Sequence, residues 1–378
     1  MNEPTHLSHG LAGDNTPPDW PALTVSEVEA LLRDYPAVGA VKRVAWHSPR
    51  PLSAACLVET AHGAFFVKRH HRRVRNIETL GEEHRFIAHL RRRGMPIPRV
   101  LADADGNAAI ARGDWVYEVH QCAEGVDLYR ESVSWEPLRN RAHALAAGHM
   151  LARLHDAAAD YHASQRATHV LVARSELICA ADPVAALLAQ LPQRAGLASF
   201  LRERPWQDEL THLLAPWHAA AQPQLARQTP LWTHGDWHVS NLYWRDDTAG
   251  AQISGVLDFG LCARNFALFD LATAIERNAI AWLALGGDAD IAHPTIARAL
   301  IEGYRQQRPL STPQLHLLAD LLPLVHVDFA LSEVEYYHAI TGSQANAEVA
   351  YDTFLRGHAA WFHTHHGQAL LQAIRHPA

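Results

Sequence analysis

Three segments near the N-terminus, VGAVKRVAW (38–46), SAACLVET (53–60) and AFFVKRH (64–70), have a period-two pattern rich in β-branched and aromatic residues. With the turn AHG (61–63) between the last two, the pattern predicts an antiparallel meander. Ahead of it, Thr24-Val25-Ser26-Glu27 reads as a capping box opening a helix that runs to about Arg33. Behind it the spacing changes. Phe86, Ile87 and Leu90 share one face of a helix over Glu82–Leu90, and GMPIP stops it. RVLADADGNAAIARGDWVYEVHQ predicts another hairpin, turning at Asp105-Gly106.

From about Gly125 the pattern becomes helical and Ala/Leu-rich, with one exception. LYWRDDTAGAQISGVLDFG holds two short apolar runs around Asp246–Gly250 and reads as a β-hairpin. The first 22 residues are polar and Pro/Gly-rich, lack a basic-then-apolar leader, and read as a loose, disordered tail. The expected organisation is α+β: a β-rich lobe with one long helix over 23–121, then a mainly helical lobe over 122–378.

Composition narrows the function. At 378 residues with 48% hydrophobic and 19% charged content, the chain reads as a soluble globular protein. It has no run of about 18 apolar residues that would suggest a membrane span. A formal net charge of −7 argues against a nucleic-acid partner. Cys56, Cys122, Cys179 and Cys262 stand far apart without CxxC spacing, which suits a reduced, cytoplasmic setting. There are 27 histidines but only two lysines, Lys42 and Lys68.

The densest chemistry lies in THGDWHVSNLYW (233–244), where polar side chains crowd between apolar flanks. Asp236 and Asn241 are five residues apart, and Asp258 follows at the far end of the predicted hairpin, in DFG. Phosphoryl transfer needs a carboxylate to orient or deprotonate the attacking hydroxyl. It also needs two further oxygen ligands to hold Mg²⁺ against nucleotide phosphates. Asp-x4-Asn followed by Asp-Phe-Gly supplies that set.

HGDWHVSN with VLDFG resembles the aminoglycoside phosphotransferase and choline kinase-like superfamily. The resemblance implies a two-lobed, protein-kinase-like fold and an ATP- and Mg²⁺-dependent kinase acting on a hydroxyl. It implies Asp236 as catalytic base, Asn241 and Asp258 as metal ligands, His234 as a residue tying the loop to the metal-binding strand, and His238 as loop support. It also implies a strand lysine on the nucleotide phosphates, which Lys68 fits, paired with a helix glutamate: Glu83 on the inward face, or else Glu82. In EVHQCAEG (118–125) the Gln121 carbonyl and Ala123 amide would face adenine. The phosphate-covering stretch, HSPRPLSAACLVE, departs from protein kinases in having no glycine, leaving Ser53 and nearby amides as phosphate contacts.

Asp270 reads as an N-cap and a brace for the catalytic loop, while Arg264 and Asn265 are equally open to substrate and structural roles. His70-His71 and His363, His365 and His366 read as chance neighbours, and Arg91-Arg92-Arg93 as a solvated helix end. Asp328, Glu333 and Glu335 read first as the solvated stripe of an amphipathic helix, and second as an acidic site for a cationic substrate. The helix LTVSEVEALLRDY looks like the branch with homoserine kinases and bacterial stress-response Ser/Thr kinases. A small-molecule hydroxyl acceptor is the first expectation. A Ser/Thr protein kinase, a catalytically silent nucleotide-binding module and a histidine-rich metal-storage protein are the alternatives. ATP and GTP are not distinguished, and oligomeric state has no signature.

Overall fold

The computed structural model describes residues 6–377 apart from 12–13, 134 and 287–289. The chain forms two compact units, residues 1–124 with 255–257 and residues 125–254 with 258–378.

The first unit opens with two short paired strands, β1 (Ser8–His9) and β2 (Asn15–Thr16), and helix α1 (Val25–Leu32). The expected loose tail is therefore partly anchored. The His9 N–H donates to the Pro49 carbonyl at 2.8 Å, and Trp20 stacks on His71 with ring centroids 5.0 Å apart. Its first five residues and residues 12–13 lie outside the described residues. The capping box forms in both directions: the Glu27 N–H donates to Thr24 Oγ1, and the Thr24 N–H donates to the Glu27 carboxylate.

β3 (Val41–His47), β4 (Ala54–Thr60), β5 (Gly63–His71), β6 (Ile110–Arg112) and β7 (Trp115–Gln121) make one antiparallel sheet in the order β3-β4-β5-β7-β6. Alternation sorts its two faces. Phe65 and Val67 of β5 and Tyr117 and Val119 of β7 join the core under α1 with Val28, Leu31 and Leu32. Val116, on the opposite face, packs with Leu80 of α2 (Ile77–Arg92). Lys68, Glu118 and His120 share this α2-facing side by the same alternation, and Lys68 is the register partner of Glu118. The expected hairpin turn is misplaced. Asp103–Asn107 is a self-contained turn held by the Asp103 carboxylate, whereas the hairpin joining β6 to β7 turns at Gly113, whose φ is +60°. Asp-Gly was the stronger local signal, but the side chain of Asp103 uses it for a loop.

The second unit contains α3 (Arg141–Ala158), α4 (Glu176–Cys179), α5 (Pro183–Gln190), α6 (Ala195–Leu201) and α7 (Trp206–Leu225). These are followed by strands β8 (Pro230–Thr233), β9 (Leu242–Trp244), β10 (Ile253–Val256, whose last two residues count with the first unit) and β11 (Ala263–Phe266). Then come α8 (Ala267–Ala279), α9 (Pro294–Arg305), α10 (Thr312–Leu321) and α11 (Val327–Glu335). α11 runs on into a widened π-helical turn, Tyr336–Thr341. The hairpin expected around Asp246 forms: β9 pairs with β10, and the Asp246 carboxylate accepts from the Thr248 N–H at 3.0 Å.

α3 and α9 pack at glycines. A Cβ at Gly148 would stand 2.0 Å from the Leu300 carbonyl oxygen, and one at Gly303 would stand 2.0 Å from that of Leu145. Two sequence expectations fail in this unit. Asp270 lies in the first turn of α8, not at its N-cap, which is Phe266. The carboxylates of α11 do not form a solvated stripe: every residue from Val327 to Glu335 is buried, because α6 and the helical segments over 344–357 pack against α11.

Candidate active site

β8 and β11 pair antiparallel with Thr233 opposite Ala263, so the loop leaving β8 and the segment entering β11 start at one end of a common ladder. They stay together beyond it. His234 packs against Phe259 with ring centroids 4.7 Å apart, and a Cβ on Gly235 would meet the Leu261 carbonyl oxygen at 2.6 Å. Gly235 also has φ +76°, so both backbone and space require glycine. This brings the HGDWHVSN loop alongside the DFG segment, with the His234 ring against that of Phe259. Asp258 itself has φ +55°, a left-handed conformation that costs a non-glycine residue about 1–3 kcal/mol and gathers at functional sites.

Within the loop, Asn241 Nδ2 donates to the Asp236 backbone oxygen at 2.9 Å and to its Oδ2 at 3.0 Å. That fixes the amide nitrogen toward Asp236 and leaves the amide oxygen as the opposite end, an oxygen donor for a cation. His238 Nδ1 accepts from the Ser240 side chain at 2.8 Å, and its Nε2 lies 3.3 Å from Asp236 Oδ2. His238 thus bridges Ser240 and the Asp236 carboxylate.

α8 grips this loop through one face. Asp270 accepts the N–H groups of His234 at 3.0 Å and Gly235 at 2.8 Å. Arg277 Nη1 lies 2.9 Å from Asp236 Oδ1, and Asn278 Nδ2 donates to the Trp237 carbonyl at 2.6 Å. Positions i, i+7 and i+8 thus hold four consecutive loop residues. Asp270 is steadied in turn by His155, whose Nε2 donates to Oδ2 at 3.0 Å while its Nδ1 accepts from the Tyr304 hydroxyl at 2.8 Å. Burial alone would raise the Asp270 carboxyl; the hydrogen bond from His155, joined by the Gly235 N–H, outweighs it and holds the carboxyl below the ordinary range.

Burial likewise opposes ionisation of Asp236, but the Arg277 guanidinium and the imidazoles of His238 and His234 outweigh it. They hold the carboxyl far below the usual carboxylate value. Arg277 is itself buried, with its guanidinium over the rings of Trp135 at 4.7 Å and Phe329 at 5.2 Å. Sequence reasoning missed Arg277 and Asn278. The available signal was helical spacing, since both share a face with Asp270.

Asn265, left open by the sequence, is structural. Its Nδ2 donates to the Ala173 carbonyl and to Thr233 Oγ1, while exposed Arg264 exchanges backbone hydrogen bonds with the Gln165 side chain. Among the α11 carboxylates, Glu335 pairs with Arg194 at 2.8 Å, and Asp328 lies 3.7 Å from the same guanidinium. The Glu333 carboxyl has no hydrogen bond or ion pair with the described residues, although only 4% of the residue is exposed. Burial pushes its carboxyl up to about 8, with Arg277 opposing and Asp236 and Glu276 reinforcing.

In the first unit, Lys68 is half-buried on the α2-facing side of β5. Glu83 faces inward as expected and is held by Arg75, whose Nε donates to it at 2.9 Å; Glu82 is only half-buried. Arg75 was another partner not read from sequence. Gln121 ends β7 with its N–H given to the Arg99 carbonyl at 2.9 Å, and Ala123 follows in irregular chain. The glycine-free stretch before β4 is a half-buried turn carrying Ser53, with Arg50 close to His9.

The chain is similar to several known kinases. The chain is 28% identical to a homoserine kinase of Afipia carboxidovorans, over 68% of each chain. It is 27% identical to one of Xanthobacter autotrophicus, over 76% of this chain and 78% of the relative. Among solved structures, it resembles a microcompartment-associated aminopropanol kinase with TM-score 0.57 and 17% identity, covering 94% of this chain and 100% of that one. An amicoumacin kinase bound to AMP-PNP and Ca²⁺ gives TM-score 0.56 and 16% identity, with coverage of 92% and 100%. These likenesses confirm the two-lobed, kinase-like fold. The model of the phosphotransferase enzyme family matches residues 52–310, well over half the chain. The protein therefore belongs to the phosphotransferase enzyme family and is a kinase with a hydroxyl group as acceptor.

Proposed function

We propose that this kinase transfers the γ-phosphate of ATP to the hydroxyl of a small alcohol that also carries an ammonium group, with Mg²⁺ as its divalent ion. The acceptor class rests on Glu333. A buried carboxyl without a partner is costly, and a cationic amine is the ligand that would turn it into a satisfied ion pair. The names of the relatives, homoserine kinase and aminopropanol kinase, support the same class.

In this reading Asp236 orients the acceptor hydroxyl and takes its proton. Held strongly ionised by Arg277, it is a weak base, so the proton moves late, after the oxygen has begun to bond to phosphorus. The amide oxygen of Asn241 and the carboxylate of Asp258 are hard oxygen donors, a set that fits Mg²⁺. Asn241 and Asp258 would hold such an ion, whose positive charge would offset that of the nucleotide phosphates. Lys68, steadied by Glu83, would pair with the α and β phosphates, and Ser53 would meet them from the glycine-free turn. The Gln121 carbonyl and Ala123 amide would take the adenine edge. His234 and His238 keep the loop in shape.

The test is incubation with Mg-ATP and a panel containing homoserine, aminopropanol, their deaminated counterparts and an aminoglycoside, with mass spectrometry for the gain of one phosphate. Amino alcohols should exceed their deaminated counterparts by at least about tenfold in kcat/KM, the scale of a buried polar contact. Asp236→Asn should abolish transfer while retaining nucleotide, and Asp258→Asn should also weaken Mg-nucleotide binding. Equal use of the deaminated alcohols would remove the role given to Glu333. Equal transfer by wild type and Asp236→Asn would remove the base.

A further inference from the structure

Away from the catalytic loop, the α2-facing side of the sheet in the first unit gathers imidazoles around one buried carboxylate. Glu118 of β7 is 3% exposed, and its Oε2 lies 2.7 Å from His84 Nε2 and 2.9 Å from His120 Nε2. Its other oxygen, Oε1, lies 3.1 Å from His70 Nε2. His84 comes from α2, Glu118 and His120 from alternate positions of β7, and His70 from the neighbouring strand β5. The three ligand-type atoms of His84, Glu118 and His120 all fall within 4.8 Å of one another, a grouping found nowhere else among the described residues. His120 Nε2 is fully enclosed yet makes no hydrogen bond with the described residues, despite its proximity to Glu118.

We infer that His84, Glu118 and His120 form a metal site of the zinc class, distinct from the magnesium-type oxygen site of the catalytic loop. Two imidazoles and one carboxylate are the donor set of three-ligand zinc sites, which leave a fourth position for water. Imidazole nitrogen selects Zn²⁺, Co²⁺ or Ni²⁺ over Mg²⁺. Ligand atoms around tetrahedral zinc stand about 3.3 Å apart, given bonds of about 2.0–2.2 Å. The observed 2.7 and 2.9 Å from Oε2 to the two imidazole nitrogens lie about half an ångström short of that spacing. His70, on the other carboxylate oxygen, is placed to orient Glu118, the kind of outer contact that tunes metal affinity. A metal here would fasten α2 to β7 on the face that carries Lys68, and so would fix the helix that presents Glu83.

The full chain, without an affinity tag and stripped by chelator, is titrated with Co²⁺ and with Zn²⁺ in the presence of excess Mg²⁺. One equivalent of Co²⁺ should give visible absorption bands of a low-coordinate nitrogen–oxygen site, and Zn²⁺ should displace it and raise Tm. His84→Gln and His120→Gln should each lose the bands and the Tm rise. His70→Ala should keep the bands with affinity lowered about 10–100-fold. A double variant of the exposed pair, His365→Gln with His366→Gln, should bind as wild type does. Circular dichroism shows whether each variant has folded, and the His70 and surface variants test the assignment even if one ligand variant has not. Absence of stoichiometric binding by the folded wild type would overturn the site and leave Glu118 as a carboxylate satisfied by imidazoles alone. Binding that survives His84→Gln and His120→Gln, or that disappears with the surface pair, would overturn it equally.

Discussion

Arg277 stands 2.9 Å from Asp236, so the carboxylate proposed to receive the acceptor's proton already faces a buried cation. The contact keeps Asp236 ionised and aimed. It also sets the acid side of the pH dependence. Because the folded-state carboxyl lies below its ordinary value, the stability it contributes is fully present above that value and is lost as pH falls through the depressed range. In Arg277→Met the carboxyl should rise, moving the acid limb of kcat/KM toward neutral pH. Breaking a buried pair should also cost about 3–5 kcal/mol in urea unfolding. An acid limb that stays in place would show that Arg277 does not set the ionisation of Asp236.

Asp270→Ala should harm the loop without touching the reacting atoms. It strands the N–H groups of His234 and Gly235 and unpairs buried His155. The expected loss is about 2–4 kcal/mol. kcat should fall more than KM rises, because a misplaced base is felt in the transition state. Steady-state kinetics beside chemical denaturation would check both.

Glu333 makes stability depend on pH in the opposite sense. Its folded value of about 8 lies above the ordinary 4.5, so between these limits the folded state binds the extra proton. Stability should therefore decline as pH rises across that window, by up to about 1.4 kcal/mol per unit, and level off above it. Glu333→Gln should flatten the profile, which thermal unfolding from pH 5 to 9 would reveal. A profile unchanged by the substitution would mean that Glu333 is not held neutral.

Asp258→Gly separates chemistry from folding. Glycine accepts φ +55° freely, so Tm should hold or rise slightly, while metal-dependent transfer disappears with the carboxylate. A large fall in Tm would mean that Asp258 is chiefly a structural residue.

Local signals were the legible ones. The capping box at Thr24, the meander and the Asp246 hairpin each depend on residues a few positions apart, and each forms. The loop motif announced itself because Asp236, Asn241 and Asp258 come close in sequence as well as in type. The rest depends on long-range packing. Nothing near Glu118 predicts His84, 34 residues earlier, and nothing near Glu83 singles out Arg75 over its neighbouring arginines. The polar stripe of α11 looked solvated because a helix sequence shows which residues share a face, and not whether other helices will cover it. The false turn at Asp105-Gly106 came from a real turn signal used for another purpose.

The glycine crossing of α3 and α9 has a consequence for precision. His155 belongs to α3 and Tyr304, the residue after Gly303, to α9, so the separation of two main chains decides whether the Tyr304–His155–Asp270 relay connects. A single added methyl at 148 or 303 would wedge the helices apart and lengthen every link toward the loop. The tolerance of the chemistry is thus written partly in hydrogen atoms, at two positions that never approach a phosphate.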